Sequence, residues 1–226
     1  MIDLAGICAV VNTRIVDFLL IKLIYFNFRG RGELIRLVFH ATDTDFVDQR
    51  VEFSDWPGLK PTIPGGRLPS LQVTKPDGTV EHYEESMAIA RWIARKHNLM
   101  GTTDEEYYKI ERIISQCADV DKEFIKVFIA PPAEREKVQM EIMKSTVPRV
   151  LDIICDSIKN SGSKFVAGSQ PTLGDLCLMT STDQVMKADP TLIRDKYKQL
   201  ISIRDHVVDH FPKLREYLNS RSETPF

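Results

Sequence analysis

The sequence is short of the features that mark several large classes of protein. It has four cysteines in 226 residues: Cys8, Cys117, Cys155 and Cys177. No two are spaced as CxxC and none lies beside a histidine at a metal-ligand spacing. That excludes a zinc module and argues against a disulfide-stapled secreted domain. Neither charge is in excess: 30 Lys and Arg stand against 32 Asp and Glu, a net charge of −2. A general nucleic-acid binder would carry a basic surplus. Internal repeats and low-complexity tracts are missing, and so are long apolar runs. The beginning of the chain is rather apolar, but Asp3, Asn12, Thr13, Arg14 and Asp17 interrupt it, and the longest clean run is Leu4 to Val11. A spanning helix needs about 20 apolar residues, and a signal peptide needs a positive start and an unbroken apolar core. Residues 1–20 are read as an atypical leader of a cytosolic chain, poorly ordered or a misplaced translation start. A membrane-active leader is the alternative.

What is present is an ordinary soluble composition, 43% hydrophobic and 27% charged, on a chain long enough for two modest domains. Lys22–Asn27 reads as a strand. A helix follows over Glu33–His40, with Leu34, Leu37 and Val38 at helical spacing, and Asp45–Val51 reads as a second strand. A β-α-β opening favours a parallel pair with a crossover helix. Ser54–Gly66 is a Pro- and Gly-rich loop. Leu68–Val73, a strand with a proline at its start, pairs with Gly78–His82 across the Pro76-Asp77-Gly78 turn. Ser86–His97 is a helix. After Gly101 the pattern becomes wholly helical, over about 104–129, 134–159, 173–187, 191–209 and 212–219. Thr103–Glu106 and Thr172–Asp175 read as capping boxes, and Pro131-Pro132 and Asn160–Ser163 as breaks. The expected architecture is a small α/β domain over 21–101 followed by an all-helical domain over 103–226. Cys117, Cys155 and Cys177 fall in apolar helical patterns and read as buried reduced thiols.

The order β-α-β, then β-β-α, with a proline opening the third strand, resembles the thioredoxin fold. Thioredoxins place a cysteine at the start of the first helix. Here Asn27, Phe28, Arg29 and Gly30 stand there, which argues against disulfide exchange and against a thiol oxidoreductase of the omega type, which needs a Cys where Tyr25 or Asn27 stands. A thioredoxin-like half joined to a helical half is similar to the cytosolic glutathione transferases. The stretches Lys22–Arg36, Asp55–Pro69 and Glu85–Arg91 resemble the sigma class, which includes the haematopoietic prostaglandin D synthases. Thr103–Tyr108 and the terminal Thr224-Pro225-Phe226 point to the 28-kilodalton glutathione transferases of flatworms. The resemblance covers everything after residue 20 or so.

The resemblance implies an enzyme that conjugates the thiolate of reduced glutathione to hydrophobic electrophiles. It also raises glutathione-dependent prostaglandin D synthesis. A non-catalytic carrier or structural protein of the same fold is the rival. A free thiol has a pKa of about 8.5 and only its anion is the nucleophile. A phenol donating to the sulfur, near a helix N-terminus and a guanidinium, favours that anion. By resemblance Tyr25 is that phenol and Arg31 the supporting cation, while Arg36 contacts the Tyr25 ring or hydroxyl. Trp56, Lys60 and Arg67 clamp the glycine carboxylate of glutathione. Leu68 pairs through its backbone with the cysteinyl part, its edge turned outward by Pro69. Glu85 meets the ammonium and Ser86 the γ-glutamyl carboxylate, at a helix N-terminus suited to anions. Asp119 reaches the same ammonium across a homodimer interface. Ser115 and Ala118 stand where the prostaglandin synthase has further acids, so no metal is expected. Phe26, Phe28, Phe124, Phe128 and Phe226 are candidates for the electrophile pocket. The implied enzyme is cytoplasmic, with no nucleic-acid partner and no stable membrane association.

Overall fold

A computed structural model describes residues 20–159 and 162–224. Most of the leader, Cys8 within it and Phe226 lie outside the described residues. Strand β1 (Leu20–Phe26) is followed by helix α1 (Gly30–Ala41) and strand β2 (Val47–Val51). The proline-rich loop then forms a single turn of helix, α2 (Trp56–Leu59), and two short 3-10 turns. Strands β3 (Ser70–Thr74) and β4 (Val80–Tyr83) and helix α3 (Ser86–Lys96) come next. The four strands form one sheet in the order β2-β1-β3-β4. β2 runs parallel to β1, with Tyr25 opposite Arg50, and β3 and β4 are antiparallel. Central β1 is apolar at successive positions because helices cover the sheet; Leu23, Ile24 and Tyr25 are all buried. The β3–β4 turn uses Gly78 at φ +84, and Asp77 accepts from the Thr79 amide at 2.8 Å.

The rest is helical: α4 (Asp104–Ile129), α5 (Arg135–Lys144), α6 (Thr146–Lys159), α7 (Leu173–Ala188), α8 (Pro190–Lys196), α9 (Lys198–His210) and α10 (Pro212–Ser220). The described part thus joins a thioredoxin-like sheet unit to a helical unit, as expected. No described helix is long and apolar enough to cross a membrane. Cys117, Cys155 and Cys177 are buried and free.

Two expected helices are each divided in two. The pattern over 134–159 breaks at Ser145, whose φ of −124° and ψ of −86° leave the helical region. Pro148 is the cause. It has no N–H and is tolerated only in the first turn of a helix, so a new helix must start just before it. The pattern over 191–209 breaks at Tyr197, whose buried hydroxyl is tied to Pro148 O at 3.0 Å and Asp152 at 2.9 Å. The Thr103 box is offset by one residue. Thr103 Oγ1 accepts from the Glu106 amide, but Glu106 reaches back to Thr102 N at 2.7 Å, not to Thr103 N. At the second box the Asp175 carboxylate is fully buried and accepts from Thr172 N, Thr172 Oγ1 and Val166 N.

One hydrophobic cluster runs through both halves, from Leu23 and Val38 to Ile110, Leu176 and Leu214. α1 is the shared element: it packs on α3 beside the sheet and on α7 and α10 of the helical part. Its N-terminus therefore faces the junction of the two halves.

Candidate active site

Tyr25 lies near the end of β1 and is 5% exposed. Its ring meets Phe26 at 5.7 Å and Phe28 at 5.4 Å, and packs on the backbone at Gly32, where a Cβ would stand 2.7 Å from Cγ. Its hydroxyl accepts the Arg31 amide at 3.0 Å. That amide belongs to the first turn of α1, whose N-cap Arg29 provides no side-chain cap. The phenol thus sits at the positive end of a helix, and among the described residues nothing accepts its proton. Burial raises its pKa, while the Arg31 amide, Arg31 and Arg36 pull the other way. Tyr25 stays a neutral donor at neutral pH.

Arg36 is no solvated helix residue: it is 0% exposed. Its guanidinium lies 5.7 Å from the centre of the Tyr25 ring and donates to Phe28 O at 3.0 Å and to the Asp48 carboxylate at 3.1 Å. Glu33, also buried, lies 3.5 Å away. Glu33 in turn holds Arg221 at 2.7 Å and accepts from the Tyr217 hydroxyl at 3.0 Å. Arg221 reaches Asp183 on α7 at 2.6 Å, and Asp183 binds Arg204 at 2.8 Å. A chain of paired charges thus connects the back of Tyr25 to the helical half.

The other expected site residues fall into three places. Arg31 is exposed and, with Ser86, lines a cavity of about 500 Å³. Ser86 is the first residue of α3. Glu85 before it is exposed with φ +66 and gives no side-chain cap to the first-turn amides of α3. Arg67 is exposed and stands 3.7 Å from Glu85. The Leu68–Pro69 bond is cis, with Leu68 half-buried and Pro69 buried at the start of β3. Trp56 is half-buried over Ile24, Val51 and Ile63 and meets Phe26 edge to face at 5.7 Å; Lys60, on the same loop, is exposed. Asp119 is apart from all of these within the chain, exposed on α4 and paired with Lys122 at 3.0 Å.

The cavity runs between α1 and the helices α4 and α7. Of the candidate phenylalanines, Phe124 lines it. Phe26, Phe28 and Phe128 do not; they form an aromatic row with exposed Phe53, spaced 4.6 Å (Phe26–Phe53), 5.6 Å (Phe28–Phe53) and 6.2 Å (Phe28–Phe128). Phe226 lies outside the described residues. Sequence reasoning missed Asp121, Thr180 and Gln184, which supply polar groups to the cavity wall. Among the described residues no cluster of His, Cys, Asp and Glu could hold a metal.

Comparisons with known proteins bear on the family and the fold. A family model described as "Glutathione S-transferase, C-terminal domain" matches residues 118–221. The "Glutathione S-transferase class-mu 28 kDa isozyme" of Schistosoma japonicum is 47% identical over 206 residues, 91% of this chain and 100% of that one. The haematopoietic prostaglandin D synthase of Gallus gallus is 33% identical over 90% of this chain and 97% of its own. A solved structure, the sigma-class enzyme of Fasciola hepatica, superposes with a TM-score of 0.87 at 43% identity, covering 92% of this chain and 99% of that one. With this likeness in sequence and fold, the chain belongs to the glutathione transferase family, beside the sigma-class and flatworm 28-kilodalton enzymes.

Proposed function

We propose that Tyr25 donates its hydroxyl proton in a hydrogen bond to the sulfur of glutathione and holds that sulfur as a thiolate. The observation that carries this is the Tyr25 hydroxyl at the α1 N-terminus, fixed by the Arg31 amide at 3.0 Å, with no acceptor for its own proton among the described residues. Glutathione brings two carboxylates, an ammonium and a thiol, and the surrounding groups suit each. Trp56, Lys60 and Arg67 offer an indole N–H and two cations to the glycine carboxylate. Leu68 offers backbone groups to the cysteinyl unit, beside Pro69. The first-turn amides of α3 and the Ser86 hydroxyl suit the γ-glutamyl carboxylate, and Glu85 suits the ammonium. The Arg67–Glu85 pair must open for this. Exposed pairs are worth about 1 kcal/mol or less, so glutathione displaces it readily. In this reading 21–101 binds glutathione and 103–226 supplies the electrophile site.

Once the thiolate forms, the cavity beside Arg31 receives an apolar electrophile. Sulfur attacks it: in a substitution the leaving group departs with the bonding pair, and in an addition the displaced pair stays on the product and takes a proton from solvent; the thiol proton has already gone to solvent. Arg31 supports the anion through its charge. Arg31→Leu is therefore expected to raise the bound thiol pKa by about one unit, equivalent to ~1.4 kcal/mol, as measured by the pH dependence of kcat/KM for the electrophile at saturating glutathione. An unchanged profile would remove Arg31 from the mechanism. No step calls for a metal.

Two finer assignments complete the proposal. Asp119 is exposed, as a residue that reaches a partner subunit must be, and a homodimer in the cytoplasm is the expected state. The likeness to prostaglandin D synthases supports glutathione-dependent isomerisation of prostaglandin H2 to the D form. Product analysis with prostaglandin H2 and glutathione decides this: enrichment of the D isomer is expected, and a mixture matching the uncatalysed one would refute it. A mere carrier would have no use for a neutral phenol fixed at a helix N-terminus.

A further inference from the structure

The electrophile cavity holds an acid that thiolate chemistry does not use. Asp121 follows Cys117 by one turn on α4, and Ser181 follows Cys177 by one turn on α7. Asp121 and both cysteines line the cavity. Asp121 is exposed there, yet its only polar partner among the described residues is the Ser181 hydroxyl, which donates from 3.4 Å. The charges around it are matched elsewhere. Arg221 is held by Glu33 and Asp183, Lys122 by Asp119, and Arg29 by Glu223. Lys187 donates to the backbone carbonyl of Thr224. Arg31 acts on Asp121 through its charge but forms no ion pair with it among the described residues.

A carboxyl with one long hydrogen bond, on the wall of a cavity that Leu34, Phe124 and Val127 also line, is costly to keep in its charged form. The surrounding protein pushes Asp121 up to about 6. Burial, with the field of Asp121 added, raises both neighbouring thiols, so they stay neutral beside it. The cost falls when a ligand brings its own donor, and a polar group in an apolar chamber discriminates between ligands far more sharply than an apolar contact does. We propose that Asp121 selects electrophiles and conjugates whose apolar body ends in a hydrogen-bond donor, an ammonium above all, over ligands of the same shape that end in a methyl group. This rests on the glutathione reading, because the sulfur delivers the tail into the cavity.

The test reads binding, not turnover. S-alkyl glutathiones of increasing chain length, each made with a terminal methyl, hydroxyl or ammonium group, are titrated by calorimetry into the wild-type protein, Asp121→Asn and Asp121→Leu. At the length that reaches Asp121, the ratio of ammonium to methyl affinity is expected to be about tenfold higher in the wild type than in Asp121→Asn, the scale of one charge-assisted hydrogen bond. Asp121→Leu is expected to favour the methyl tail outright. Equal ratios in the wild type and Asp121→Asn at every length overturn the proposal and leave the glutathione reading standing. Failure of every S-alkyl glutathione to bind the wild type overturns that reading, and the proposal with it.

Discussion

Tyr25→Phe is expected to lower kcat/KM for glutathione conjugation by about a hundredfold, the usual cost of removing one donor aimed at a developing or stabilised anion. The substitution deletes a single oxygen from a side chain that is 5% exposed and keeps the ring between Phe26 and Phe28. The fold loses one hydrogen bond, from the Arg31 amide, worth about 1 kcal/mol. The KM for glutathione should change little, because the groups assigned to its carboxylates and ammonium remain. A loss confined to kcat and kcat/KM marks an interaction with the reacting state. The pH profile follows from the two pKa values involved. Burial raises the Tyr25 phenol above its ordinary value, so it remains protonated throughout the working range. Wild-type activity therefore rises with pH only as the bound thiol ionises, and in Tyr25→Phe the same rise is displaced to higher pH. A profile unmoved by the substitution would mean that Tyr25 does not set the thiol pKa.

The second large effect concerns Arg36. Arg36→Leu is expected to cost about 2–3 kcal/mol of folding free energy, because it removes the buried guanidinium's hydrogen bonds to Asp48 and the Phe28 carbonyl and its ion pair with Glu33. Glu33, 5% exposed, keeps Arg221 and Tyr217, and Asp48 keeps Arg50 at 2.8 Å, but each loses its contact with Arg36. The carbonyl of Phe28 loses its guanidinium donor as well. Arg36→Lys is expected to recover only part of this, since one ammonium cannot reproduce a planar fork that spans Asp48 and the Phe28 carbonyl. Urea unfolding of both variants measures it. A loss below about 1 kcal/mol for Arg36→Leu would show that the network is solvated and that its contacts contribute little. The same variant should also slow catalysis, because Arg36 backs the Tyr25 ring and Glu33 joins α1 to the C-terminal helix through Tyr217 and Arg221.

The fold was legible where local chemistry acts alone. The helix expected over 104–129 has those bounds, because Thr103 caps its start and Pro131-Pro132 follow its end. It was less legible where a signal was present but outweighed by periodicity. Pro148 marked the start of a new helix, but the apolar spacing across 134–159 concealed it. The site was legible through a resemblance. Taken alone, Tyr25 is an aromatic residue on a strand, and Glu85 and Ser86 are an acid and a hydroxyl before a helix. What no local pattern could reveal is the company these residues keep. Arg36 reads as a helix-face cation until Asp48 from β2 and Glu33 bury it. Asp121 carries no local signal at all; only the packing of α7, which brings Ser181 to it, and the cavity it lines mark it out.

The central claim is that Tyr25 sets the ionisation of one sulfur, and the most direct measurement is the ultraviolet thiolate absorbance of enzyme-bound glutathione titrated against pH. The wild-type complex is predicted to ionise about two units below the free thiol, whose pKa is about 8.5, and Tyr25→Phe is predicted to return most of that shift. A wild-type complex that ionises with the free thiol, or a Tyr25→Phe complex that ionises with the wild type, would contradict the account.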